Sequence, residues 1–82
     1  MTRREALEKI AQMLEIPAQQ LAENLTPNEV ATWDSLGQIN ILAFLDREFD
    51  IQLTQAEMAN ITTLGSVLNI VENKGKFGSA AR

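Results

Sequence analysis

Neither cysteine nor histidine occurs in the chain. Without cysteine there is no disulfide framework and no protein thiolate. Without histidine the commonest general base and the commonest metal ligand are missing, and zinc sites of the usual Cys/His kind are excluded with them. No apolar run approaches the roughly 20 residues that cross a bilayer as a helix. The start, Met1-Thr2-Arg3-Arg4-Glu5, lacks the apolar stretch of a signal peptide. With no export signal, the Asn-x-Thr triplets at Asn24 and Asn60 read as chance matches, and a cytoplasmic, stand-alone unit is expected. Strand-like alternation and internal repeats are also absent.

What is present is enough for one small domain: 82 residues, 45% hydrophobic and 22% charged. A chain of this size buries a limited core, which favours a binding, carrier or interaction module over an enzyme with a deep pocket. The net charge is −4, and its distribution says more than its total. From Glu15 to Glu72 there are nine acidic residues and one base, Arg47. The other bases sit at the ends: Arg3, Arg4 and Lys9 at the front, Lys74, Lys76 and Arg82 at the back. An acidic middle repels nucleic acid and anionic membranes and suits basic partners.

The periodicity predicts an all-α fold, a four-helix bundle of three main helices and one short one with a long first loop and up-down topology. The first helix should run from Arg3 to Glu15. Thr2 and Glu5 form a capping box at its start, Leu7, Ile10, Ala11 and Leu14 share its inner face, and Pro17 ends it. Residues 16 to 33 are too apolar for a free linker, with Ile16, Leu21, Leu25 and Val30 among them, so the segment should pack across the bundle with a short turn near Ala18 to Ala22. The second helix should start at Ser35 and end near Phe49, its stripe being Leu36, Ile39, Leu42, Leu45 and Phe49, with Ile41 and Phe44 off it. Gly37 in its first turn should allow a close approach to the backbone. Thr54 and Glu57 cap a short third helix over Gln55 to Ala59. The fourth helix should span Thr63 to Asn73, with Leu64, Val67, Leu68 and Val71 inward and Gly75 as its stop. Residues 1–75 are expected to form the domain and 76–82 a flexible tail.

The motif that carries chemistry is Thr32-Trp33-Asp34-Ser35-Leu36-Gly37, where the long loop meets the second helix. Ser35 with Gln38 fits a capping box. The alternative is a serine modified by a phosphate ester, since a helix N-terminus favours negative charge. Ser35 is not a triad nucleophile, because no histidine exists to activate it. Asp34 would oppose a second negative charge and so suits a basic or metal-bearing partner. Trp33 packs the loop, since an indole is mostly apolar surface.

Asp34-Ser35-Leu36 resembles the D-S-L signature of acyl and peptidyl carrier proteins. The resemblance extends to the apolar positions Ile39, Leu42 and Leu45, to Glu48-Phe49-Asp50-Ile51, which is similar to the end of that family's second helix, and to Ile61-Thr62-Thr63-Leu64, which resembles the opening of its last helix. It covers residues 5 to 73. It implies 4′-phosphopantetheine, taken from coenzyme A by a phosphopantetheinyl transferase and attached to Ser35. It also implies an acyl or aminoacyl cargo held as a thioester, in fatty-acid, polyketide or related specialised biosynthesis. On this reading the chain is a monomeric carrier and a substrate of other enzymes, not an enzyme itself. Partners with basic docking surfaces would meet Asp34, Leu36, Asp46 and Glu48. Ile41, Phe44, Met58 and Ile61 are candidates to line an acyl pocket. Gln38, Asn40 and Arg47 interrupt the acidic run usual in the fatty-acid type. The competing reading is a small acidic helical interaction module in which Ser35 is only an N-cap. A nucleic-acid binder is disfavoured by the acidic middle.

Overall fold

The computed structural model describes residues 1–77. It contains α1 (Arg3–Met13), a 3₁₀ turn at Ala18–Gln20, α2 (Ser35–Phe49), α3 (Gln55–Ala59) and α4 (Leu64–Asn73), and no strand among the described residues. Each start has a sequence-local cause. Thr2 with Glu5 and Thr54 with Glu57 form the expected capping boxes, and Thr63 forms a third with Ser66. The stops are less legible. The chain leaves α1 through Glu15 in the left-handed region, φ 58°, while Ile16 N–H donates to Ala11 O and Glu15 N–H to Gln12 O. This is a Schellman closure with glutamate where glycine is usual, and it ends α1 two residues before the expected Glu15. Gly75 does the same job after α4 at φ 69°, where no strain arises.

α1 packs against both α2 and α4. Ala6, Ile10 and Leu14 from α1, Ile41, Phe44, Leu45 and Phe49 from α2, and Leu64, Val67, Leu68 and Val71 from α4 form one core. The long loop closes over it. Val30 and Trp33 are buried, and Ile16, Leu21 and Leu25 are packed against the core. The loop is also bonded to α4, where Leu64 N–H donates to Leu25 O and Gly65 N–H to Glu23 O at 2.7 Å. Phe77, assigned above to a flexible tail, sets its ring edge-on against Phe49 at 5.6 Å, and Phe49 meets Phe44 the same way at 5.9 Å. The packed unit therefore reaches two residues past 75. Residues 78–82 of the expected tail lie outside the described residues.

The α2 stripe is corrected in its first half, while Leu45 and Phe49 are buried as expected. Leu36 is 66% exposed and Ile39 59%, whereas Ile41 and Phe44 are in the core. The helix is rotated so that Gly37, Ile41, Phe44, Leu45 and Phe49 face inward. Both rows recur at three- and four-residue steps, so periodicity alone does not choose between them.

Arg3, the first residue of α1, clasps three segments. Its guanidinium donates to both oxygens of Glu23 at 2.7 and 3.1 Å, to Glu72 Oε1 at 2.8 Å and to Asn69 Oδ1 at 3.0 Å. The hydrogen bond from Arg3 holds the Glu23 carboxyl below its ordinary value of 4.5. Glu5 and Glu57 are lowered too, chiefly by the backbone N–H of Thr2 and of Thr54, and Glu57 further by its bond to Lys74. A carboxyl lowered by folding binds fewer protons in the native state than in the unfolded one. Its contribution is therefore full above the unfolded value and is lost as the pH falls through the folded one. The melting temperature should fall as the pH drops below about 5, and the acid-induced drop should be smaller in Arg3→Met. Thermal melts across that range check this; equal drops in the two proteins would remove Arg3 from the account.

Candidate functional site

The site begins with the cap of α2. Asp34, not Ser35, is the N-cap: its Oδ1 accepts from Gly37 N–H at 3.0 Å. The capping box expected between Ser35 and Gln38 is not formed. Gln38 Oε1 instead accepts from Trp33 Nε1 at 2.8 Å. Ser35 is the first helical residue, exposed, and its hydroxyl takes part in no hydrogen bond among the described residues. The contrast with Ser66 is instructive. That hydroxyl accepts from Thr62 and Thr63 N–H and donates to Thr63 O at 2.6 Å. One serine is consumed by its helix cap; the other is released because an aspartate took that duty.

The loop before Ser35 is pinned. Thr32 Oγ1 donates to Leu14 O at the end of α1. A Cβ on Gly37 would stand 2.2 Å from the Thr32 carbonyl oxygen, so the absence of a side chain lets the helix start lie directly on the loop. Trp33, 4% exposed, fills the space below, which supports the packing role for its indole.

Beside Ser35 lies an open cleft of about 530 Å³ lined by Pro27, Trp33, Asp34, Ser35, Gln38, Ile39 and Ile61. Ile39 also borders a second cleft of about 370 Å³ between α2 and α3, which Leu42, Ile51, Leu53 and Met58 line. Of the four pocket candidates, Ile61 lines the cleft beside Ser35 and Met58 the second cleft. Ile41 is fully buried in the core, and Phe44 borders a separate cleft with Lys9, Met13 and Arg47; the rotation of α2 takes both away from Ser35. Ile39 and Gln38 were not singled out as lining residues, and only the exposure of Ile39 on a helix with two apolar rows signals it.

The acidic side chains do not form one patch. Asp34 caps α2, Asp46 accepts from Gln52 Nε2 at 2.6 Å on the α3 side, and Glu48 pairs with Arg47 at 3.4 Å beside the cleft that holds Phe44. Capping and charge at Asp34 are separable. Asparagine caps as well as aspartate, whereas Asp34→Ala should cost about 1 kcal/mol of stability. Denaturant unfolding of the two variants measures the cap, and any property Asp34→Asn loses while keeping its stability belongs to the charge.

A bundle this small, with a hydroxyl held out unengaged at the start of its second helix, has the architecture of a carrier domain, which presents a group for others to work on. Comparison with known proteins makes the class specific. The acyl carrier protein of Saccharopolyspora erythraea is 31% identical over 74 residues, covering 85% of this chain and 78% of that protein. The chain belongs to the acyl carrier protein family, and its role is that of a carrier. No family model matches it, and no solved structure matches it.

Proposed function

We propose that Ser35 carries 4′-phosphopantetheine, received from coenzyme A through a phosphopantetheinyl transferase, and that the chain delivers an acyl or aminoacyl cargo to partner enzymes of fatty-acid, polyketide or related specialised biosynthesis. The observation that carries this reading is the division of labour at the start of α2: Asp34 accepts from Gly37 N–H, and the Ser35 hydroxyl stays exposed and unbonded. When bound, the group supplies a thiol at the end of a long arm, which holds the cargo as a thioester.

The residues present fit such a group. Ser35 Oγ is accessible, and the Ser35 and Leu36 N–H groups at the helix start have no carbonyl partner to satisfy them. The chain has no histidine, so the transferase takes the hydroxyl proton as Ser35 Oγ bonds to the pantetheine-side phosphorus, the pyrophosphate bond of coenzyme A breaks and adenosine 3′,5′-bisphosphate leaves. Leu36, 66% exposed, offers that enzyme an apolar contact next to the reacting serine. Asp34, Asp46 and Glu48 are the acidic points that basic docking surfaces would meet, from different sides of α2. The chain acts as a monomer in the cytoplasm, its carrier domain extending to Phe77, which packs on Phe49.

The test is intact-mass spectrometry with peptide mapping after incubation with coenzyme A and a promiscuous transferase. Wild type should gain one phosphopantetheine on Ser35, and Ser35→Ala none. Since Ser35 is not the cap, Ser35→Ala should change stability by less than about 0.5 kcal/mol, as other exposed substitutions do. Modification at Ser66 or Ser79, or no modification with several transferases, would overturn the reading.

A further inference from the structure

Arg47 is the one base between Glu15 and Glu72, and neither an arm on Ser35 nor the docking of basic surfaces gives it a role. The fold brings it to Lys9. The two line a cleft of about 320 Å³ between α1 and α2, with Gln12, Met13, Phe44 and Glu48. Met13 is half-buried, and the Phe44 ring, held edge-on by Phe49, closes the base of the cleft. The body of α2 separates this cleft from the attachment site. Nine residues, about two and a half turns, lead from Ser35 to Phe44, so the two project to opposite sides of the helix.

Both cations are available. Lys9 is exposed and pairs with no carboxylate among the described residues. Arg47 is 65% exposed and is engaged through Nε alone, by its neighbour Glu48 at 3.4 Å, which leaves its terminal N–H groups without an acceptor among the described residues. An exposed pair of this kind is worth little in water. Arg3, Arg4 and Lys74, by contrast, each meet a carboxylate from another turn or segment. A chain of net charge −4 thus holds two free cations around one apolar base. An extended anionic surface would be repelled by the rest of the chain, whereas a short acidic segment meets the two cations locally. We propose that this cleft docks an acidic peptide segment of a partner protein, in which two carboxylates flank an apolar side chain. The carboxylates meet Lys9 and Arg47, and the apolar group lies over Met13 and Phe44. The site does not depend on an arm at Ser35. It lets one partner hold the carrier from behind while Ser35 stays open to another.

The probe is the synthetic peptide acetyl-Asp-Gly-Phe-Gly-Asp-amide, whose three side chains share one side when it is extended. Its counterpart with lysine at both ends is the control. Titrated into the isotope-labelled chain, the acidic peptide should shift the backbone signals of Lys9, Gln12, Met13, Phe44, Arg47 and Glu48 and leave those of Ser35 and Leu36 in place. The lysine peptide should shift none of them. Lys9→Gln and Arg47→Gln should each weaken binding about two- to fivefold, the size of one exposed ion pair. Glu48→Gln should tighten it, because it removes the carboxylate that competes for Arg47. Glu29→Gln, which removes the same charge elsewhere, should not. Transfer of phosphopantetheine to Ser35 should proceed equally in the Lys9 and Arg47 variants. Binding that survives both cation substitutions, or shifts centred on Ser35, overturns the site. Slower loading of Arg47→Gln would make the cleft part of the transferase's own surface and overturn its independence. The same shifts on concentrating the chain alone would make a second copy the occupant, and shifts with phosphatidylglycerol vesicles but not with the peptide would make it a membrane; either overturns the proposal.

Discussion

Gly37→Ala should be among the most destabilising single changes in this protein, although it replaces glycine by the best helix former inside a helix. In an open helix the exchange gains about 1 kcal/mol. Here the new methyl carbon would sit 2.2 Å from the Thr32 carbonyl oxygen and 3.2 Å from a Leu14 methyl. The nearer atom is backbone and cannot swing aside. Thr32 is also bonded to Leu14 O, so moving it disturbs the end of α1. Overpacking of this kind costs about 3 kcal/mol, which outweighs the propensity gain. For a domain of this size a net loss of about 2 kcal/mol lowers the melting temperature by roughly 10 °C or more. Thermal and denaturant melts check the sign: a variant as stable as wild type would mean the helix start does not rest on the loop. Gly65→Ala is the control, because its nearest neighbours belong to Glu23 at 3.1 Å and beyond and its loss should be smaller.

Two isoleucines two positions apart should differ just as sharply. Ile41→Ala removes a fully buried side chain from the centre of the core and should cost about 3 kcal/mol, within the range for emptying a packed site. Ile39→Ala trims a side chain that is 59% exposed and should cost less than about 1 kcal/mol. Chemical unfolding of the pair measures the rotation of α2 directly. Equal losses, or a larger loss at Ile39, would return the row of Leu36, Ile39 and Leu42 to the core and take Ile39 out of the cleft beside Ser35.

Much of the architecture follows from local chemistry that a sequence displays. The starts of α1, α3 and α4 lie where Thr2, Thr54 and Thr63 cap them, because a cap needs only residues three apart. The inward row of α4 has one apolar face and no rival, and Leu64, Val67, Leu68 and Val71 are all fully buried. The stop of α1 was less legible because the left-handed residue is Glu15 rather than glycine. The Arg3 clasp was invisible because Glu23, Asn69 and Glu72 are distant in sequence. Phe77 was assigned to a tail because its partner Phe49 is nearly thirty positions away.

The division at the centre of the protein follows the same physics. The sequence by itself determined that α2 begins at Ser35, that a serine stands at that junction between an aspartate and a leucine, and that no histidine can activate it; these depend on residue identity and short spacing. Only the tertiary structure decided which of two apolar rows of α2 enters the core. It also decided whether Asp34 or Ser35 caps the helix, since both residue types cap well. Both outcomes meet at Gly37. With no side chain there, the first turn of α2 lies against Thr32, and its N–H is the one Asp34 caps. In that rotation Ile41 and Phe44 face the core, while Leu36 and Ile39 lie exposed near an unbonded serine hydroxyl.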